Sequence, residues 1–443
     1  MIIKRKLYSE LLEWKNNRKG KTAILIKGAR RTGKSYLCEQ FAKNEYKSYV
    51  IIDFANISNE IRNLFEGDTS DINKFLSELQ ILTHTTFYDR ETVIIFDEVQ
   101  MFPKARQLIK YLVANNKYDY IETGSLLSIR KNVKDIVIPS EEEDKYLYPL
   151  DFEEFLWAIG DEVTYPYIKE CFEKRKEIGE KIHRKIIRTF REYLIVGGMP
   201  QSVIEYVESK NFESVDRIKR NILKLYRDDI SKFASGYEQK VLSVFDEIPG
   251  QLSKKEKTYN ISSLKKEARN RDYEDAFIWL SDAMIVNRCL NATDPNVGLN
   301  LSLDSRLQKI YMGDTGLLVT HTFYDSAFND NEFYKKILFD RLNFNEGIIM
   351  ENIVAEALRY SGHRLFFYTR YDEERIEIDF LIKRENKISP VEVKSSKYGK
   401  HTALSKFIDK FSDRIGEKFI LYPKDVLIKD DVTHLPLYMA WLL

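Results

Sequence analysis

The stretch Gly28-Ala29-Arg30-Arg31-Thr32-Gly33-Lys34-Ser35 sets two glycines, a lysine and a hydroxyl at the spacing of a phosphate-binding loop. Glycines let backbone N–H groups turn inward around phosphate oxygens, and the helix that follows adds the positive end of its dipole. In this pattern Lys34 reaches the outer phosphates and the Ser35 hydroxyl sits on Mg²⁺. The context fits: the apolar run Thr22-Ala23-Ile24-Leu25-Ile26 precedes the loop, and Tyr36-Leu37-Cys38-Glu39-Gln40-Phe41 follows it. Strand, loop and helix together predict a site for ATP and Mg²⁺, bound by Gly28, Arg31, Thr32, Gly33, Lys34, Ser35 and Tyr36.

A second chemical signal ends the continuous apolar run Thr92-Val93-Ile94-Ile95-Phe96, where Asp97 and Glu98 follow directly. Beside a phosphate loop, Asp97 is placed to hold the nucleotide Mg²⁺ and Glu98 to activate the attacking water as a general base. The next strand ends in Thr123-Gly124-Ser125. Thr123 or Ser125 could sense the terminal phosphate there, and a turn-forming triplet accounts for them too. Arg130 reads as an exposed helix arginine, with a finger reaching a neighbouring subunit as the other reading.

The last hundred residues carry a third set. Ile348, Glu351, Ala355 and Leu358 share one face of a helix, so Glu351 stands where an apolar residue is expected. A carboxylate in such a place is usually paired or functional. The strand 375–382 carries Asp379, and in Pro390-Val391-Glu392-Val393-Lys394 period two puts Glu392 and Lys394 on one face. Asp379 and Glu392 could bind a divalent metal, with Lys394 stabilising charge or a water nucleophile. A helical Glu, a strand Asp and a Glu-x-Lys form the layout of a metal-dependent nuclease core. Structural ion pairing accounts for the same residues.

Strands alternating with helices up to residue 124 predict a parallel α/β sheet covered on both faces. Asp71 reads as the N-cap of a helix through Leu82. From Tyr148 the pattern turns helical, and Gly197-Gly198-Met199-Pro200 marks a helix stop and restart. A helix at 273–284 and a small hairpin from Ile285 suggest a winged helix. Just before them, residues 253–271 hold seven basic residues against two acids. DNA contact and a solvated loop both account for that stretch.

Composition limits the alternatives. The chain has 443 residues, too many for one ordinary core, so two or three domains are expected. With 43% hydrophobic and 13% aromatic residues it is not a disordered sequence. Its net charge of +1 announces no nucleic-acid partner by itself. No apolar run approaches the ~18 residues that span a bilayer, and the N-terminus lacks a signal-peptide core. Cys38, Cys171 and Cys289 are odd in number and far apart, fitting neither a disulfide framework nor a zinc site. A cytoplasmic protein without a membrane partner is expected.

Taken together, the order of motifs resembles one family. It continues through Pro149-Leu150-Asp151-Phe152-Glu153-Glu154-Phe155, Tyr226-Arg227-Asp228-Asp229-Ile230 and Asp314-Thr315-Gly316-Leu317-Leu318 to Glu351-Asn352, Glu377-Ile378-Asp379-Phe380 and Val391-Glu392-Val393-Lys394. The chain is similar to the bacterial and archaeal AAA+-type P-loop ATPases with a C-terminal PD-(D/E)XK nuclease-like domain, much of it a domain of unknown function. The resemblance implies an AAA+-type ATPase domain with a helical lid at 1–204, a helical and winged-helix domain at 205–335, and a restriction-endonuclease-like α/β domain at 336–443. It implies catalytic roles for Lys34, Asp97 and Glu98, and nuclease positions at Glu351, Asp379, Glu392 and Lys394. Ser35, Asp97, Asp379 and Glu392 would be the metal ligands. Ile378 departs from the pattern, standing where the name-giving proline would be. A homo-oligomer is implied, as a ring completed by a neighbour's arginine. The function expected is an ATP hydrolase acting on nucleic acid, DNA in the first place, which the C-terminal domain binds or cuts. The alternative is a nucleotide-driven switch or scaffold with an inactive C-terminal domain.

Overall fold

The computed structural model describes residues 3–124, 139–234, 236–254, 258–265, 269–325, 330–338, 346–370, 376–395 and 402–443. The chain forms two compact units, one of residues 2–148 with 282–284, the other of 149–281 with 285–443. The boundaries expected at 204/205 and 335/336 both fall inside the second unit.

In the first unit five strands form a parallel sheet: β1 (Ala23–Lys27), β2 (Ser48–Asp53), β3 (Thr92–Asp97), β4 (Asp119–Gly124) and β5 (Glu142–Tyr146), in the order β2-β3-β4-β1-β5. Every residue of β1, β3 and β4 is buried, as strands covered on both faces must be. The helices Lys6–Arg18 and Lys34–Glu45 cover one face through Leu11, Trp14, Leu37 and Phe41. The helices Asn59–Glu66, Ile72–Leu82 and Pro103–Asn115 cover the other through Phe65, Phe75, Leu79 and Ile109. Asp71 caps the second of these, accepting from the N–H groups of Asn73 and Lys74. Strand β5, Glu-Glu-Asp-Lys-Tyr, was not apparent from hydrophobic periodicity because among the described residues it is an edge strand, paired with β1 alone.

The second unit is helical from Phe152 to Leu252 and then builds an eight-stranded mixed sheet. Its strands are β6 (Val286–Ala292), β7 (Leu303–Met312), β8 (Leu365–Arg370), β9 (Ile376–Arg384), β10 (Lys387–Val393), β11 (Phe419–Tyr422), β12 (Leu427–Lys429) and β13 (Val432–Pro436), in the order β12-β13-β11-β10-β9-β8-β6-β7. The helix Glu180–Val196 ends at Gly197 with φ 78°, and the next helix restarts at Pro200, as expected. The hairpin is not the wing of a separate domain. β6 pairs with β7 on one side and with β8 on the other, so the hairpin belongs to the sheet that carries Asp379 and Glu392. That pairing joins segments far apart in the chain, which a local pattern does not reveal. Among the described residues no helix is long and apolar enough to cross a membrane.

Candidate functional site

β1 delivers the chain to Gly28, and Arg31 and Gly33 turn the loop with φ of 74° and 90°. Residues in that left-handed region are uncommon, which explains a glycine at the second position. The helix begins at Lys34. The Lys34 ammonium is buried and donates to the carbonyl oxygens of Gly28 and Ala29, both at 3.1 Å. Burial lowers its pKa, and the charges of Glu98 and Asp97 pull it back up. Thr32 is buried and its hydroxyl donates to the Ala29 carbonyl at 2.9 Å, bracing the loop internally. Arg31 and Tyr36 are exposed.

Strand β3 brings Asp97 to the loop. Its Oδ1 accepts from the Ser35 hydroxyl at 2.9 Å and from the Thr123 hydroxyl at the end of β4. Thr123 also accepts from the Glu98 N–H at 3.2 Å, so one buried hydroxyl spans both acids. Glu98 adopts φ 53°, and its carboxylate accepts from the Gln100 side-chain amide. The structure therefore gathers Lys34, Ser35, Asp97, Glu98 and Thr123. Ser125 and Arg130 lie outside the described residues. Gln100 carried no role in the sequence reading, although it stands only two residues beyond Glu98.

These residues fit a nucleoside triphosphate and its divalent ion. A buried ammonium bonded to two neutral carbonyls is a place that phosphate oxygens can fill. Ser35 and Asp97 present adjacent hard oxygens of the kind Mg²⁺ prefers.

The third set is also gathered, with an addition. Glu351, on the helix Glu346–Tyr360, accepts from the Tyr311 hydroxyl. The ammonium of Lys309, from β7, lies 3.4 Å from Glu351, 3.1 Å from Glu377 and 3.8 Å from Asp379. Burial alone would lower the pKa of Lys309, but Asp379 and Glu377 outweigh it and the pKa is raised, so the lysine stays charged. The other carboxylate oxygen of Asp379 accepts from the Val393 N–H at 2.9 Å. Glu392 pairs with Lys394 at 2.6 Å. Burial, then the charge of Asp379, pushes the Glu392 carboxyl up to about 7.

Lys309 and Tyr311 carried no role in the sequence reading, and Glu377 appeared only inside a motif. The available signal was a lysine inside an apolar strand, Lys-Ile-Tyr-Met. Asp379 and Glu392 are both hard oxygen donors of the kind a divalent ion takes, and among the described residues the buried Glu392 Oε1 has no hydrogen-bond partner. Glu351 is instead engaged by Lys309 and Tyr311. Among the described residues no group of three or more His, Cys, Asp or Glu could hold a metal.

Two stretches far apart in the sequence explain each other. The Gly198 N–H donates to Asp314 at 2.6 Å, and a Cβ on Gly198 would come within 2.1 Å of the Leu150 carbonyl oxygen. Gly197-Gly198 and Asp314-Thr315-Gly316 are thus one packing contact.

Residues 20–156 match the model of the AAA domain. Residues 187–327 and 346–439 match two domains of unknown function, DUF8612 and DUF4143. No curated protein matches the chain. Among solved structures it is similar to the S. cerevisiae Hsp104-ADP complex, at 10% identity and TM-score 0.29, covering 64% of this chain and 38% of that one. It is also similar to Drosophila ORC bound to DNA, at 15% identity and TM-score 0.29, covering 73% of this chain and 95% of that one. The chain thus spans well under two thirds of the Hsp104 chain. By its phosphate loop, its parallel sheet and the matched model, the N-terminal unit is a P-loop domain of the AAA type.

Proposed function

We propose that the protein binds ATP with Mg²⁺ at residues 28–36 and hydrolyses it, and that the ATPase acts on nucleic acid, DNA in the first place, through its C-terminal unit. The observation that carries the ATPase reading is the gathering of Lys34, Ser35, Asp97 and Glu98 around one loop, tied by the Thr123 hydroxyl. Lys34 exchanges its two carbonyl partners for outer phosphate oxygens. Ser35 and Asp97 would hold the ion, which would supply positive charge to offset the charge developing on the phosphates. Glu98 takes the proton of the water whose oxygen bonds to the γ-phosphorus, as the bond from that phosphorus to the departing ADP oxygen breaks.

The Asp379, Glu392 and Lys394 cluster supports the nucleic-acid part. Those residues would hold a divalent ion beside a phosphodiester, with Lys394 offsetting charge. Assembly into a homo-oligomeric ring in the cytoplasm belongs to the same reading, on the resemblance alone. The second reading, a nucleotide-driven switch or scaffold, is favoured by one observation: Lys309 already engages Glu351, Glu377 and Asp379.

The deciding experiment measures ATPase rate and particle mass with and without single-stranded, duplex and branched DNA. Stimulation by one of them is expected. A rate and mass indifferent to every nucleic acid would leave the switch reading.

A further inference from the structure

Arg5 lies just before the first helix, in extended conformation and only 7% exposed. Its Nη1 donates to the carbonyl oxygen of Thr32 at 3.0 Å, and its Nη2 to that of Tyr148 at 2.5 Å. A guanidinium is a rigid fork, so one planar group sets the positions of both carbonyls.

The first carbonyl belongs to the phosphate loop. A trans peptide is planar, with its C=O and N–H pointing opposite ways. Holding the Thr32 oxygen on the Arg5 side therefore turns the Gly33 N–H away from Arg5. Gly33, with φ 90°, has no side chain to define the orientation of its own peptide, so an outside anchor matters most there.

The second carbonyl belongs to the last residue before the second unit begins. Its neighbour Leu147 donates its N–H to the Lys27 carbonyl at 2.8 Å, and a Cβ on Gly28 would come within 2.4 Å of the Leu147 oxygen. Leu147-Tyr148 thus touches the loop at both ends, by close packing at Gly28 and through Arg5 at Thr32.

We propose that Arg5 is a positioning residue for the nucleotide: it aims the Gly33 N–H at the phosphates and links the filling of the loop to the Leu147-Tyr148 strap. This rests on the nucleotide reading of the loop. When phosphate draws the Thr32–Gly33 peptide, the fork transmits the pull to Tyr148.

The test follows hydrogen exchange of the full-length protein with and without Mg·ADP, alongside calorimetric affinity. In the wild type, nucleotide should slow exchange both in the loop peptide and in the peptide covering Leu147 and Tyr148. Arg5→Ala should lower affinity about tenfold and keep the slowing in the loop while losing it in the strap. Arg5→Lys keeps the charge without the fork, so it should restore affinity in part and not the strap response. It also decides the matter if Arg5→Ala does not fold. Wild-type affinity and strap response in the variants would overturn the inference. A wild type that binds no nucleotide removes the reading of the loop itself, a different result from one that binds with an unresponsive strap. Binding with an unresponsive strap in the wild type overturns this inference alone.

Discussion

The Ser35 hydroxyl lies 2.9 Å from Asp97 Oδ1, joining the first turn of one helix to the last residue of β3. A hydroxyl that gives its proton to a carboxylate turns its lone pairs elsewhere, where a cation can use them. Ser35→Ala should therefore bind nucleotide without Mg²⁺ much as the wild type does, and lose about tenfold or more of the gain that Mg²⁺ brings. Titration of ADP with and without Mg²⁺ checks this, and an undiminished gain would move the ion away from Ser35.

Lys34→Ala removes the only buried ammonium in the loop's described residues. Charge-assisted bonds to phosphate contribute about 1.5–3 kcal/mol each, so a loss of at least a hundredfold in ATP affinity is expected. Calorimetry gives the answer, and retained affinity would refute the site.

Glu98→Gln keeps the size of the side chain and removes the base. Nucleotide affinity should stay within a few-fold, while kcat falls about 10²- to 10⁴-fold. Single-turnover hydrolysis separates the two effects. Thr123→Val, which deletes the hydroxyl joining Asp97 to Glu98, should lower kcat more than it weakens binding.

His321 links stability to pH. It is buried, its ring stacks on Phe245 at 4.6 Å, and its Nε2 faces the Phe245 carbonyl at 2.9 Å. Burial lowers its pKa from the ordinary 6.5; the carbonyl bond, Asp246 and Asp325 oppose that, and Arg227 adds to it. Below about pH 6.5 the unfolded chain takes up a proton that the folded protein refuses, so stability falls as pH falls toward the folded value. Melting temperature should drop between pH 7.5 and 5.5, and His321→Gln should flatten the drop. An unchanged slope would assign it to other groups, among them His363, whose pKa burial also lowers.

What was legible in the sequence was local. Gly28 to Ser35 carry their chemistry in one continuous stretch, and Asp97 announces itself by ending a buried strand. Asp71 and Gly197 act within a turn or two of chain. What was hidden depends on partners brought from far away. β5 reads as charged coil until β1 supplies its pairing, and β6 reads as a wing until β8 lies beside it. Lys309 looks like an ordinary strand lysine until a helix and β9 set three carboxylates around it. Glu351, Asp379, Glu392 and Lys394 were found by spacing, yet spacing could not tell that Glu351 belongs with a lysine.

Lys309→Met tests that last point. The methionine fills similar space and leaves Glu351, Glu377 and Asp379 without their shared cation. Removing one partner from a buried ion pair typically costs about 3–5 kcal/mol, because the remaining charge stays buried and unmatched. Glu351 is the most buried of the three, so adding Glu351→Gln should return part of the loss. Urea unfolding of the two single variants and the double variant closes the cycle, with a coupling of about 1–3 kcal/mol expected. If Lys309→Met unfolds at the wild-type urea concentration, the ammonium is not what holds the carboxylates together, and they are available as a set to a metal ion.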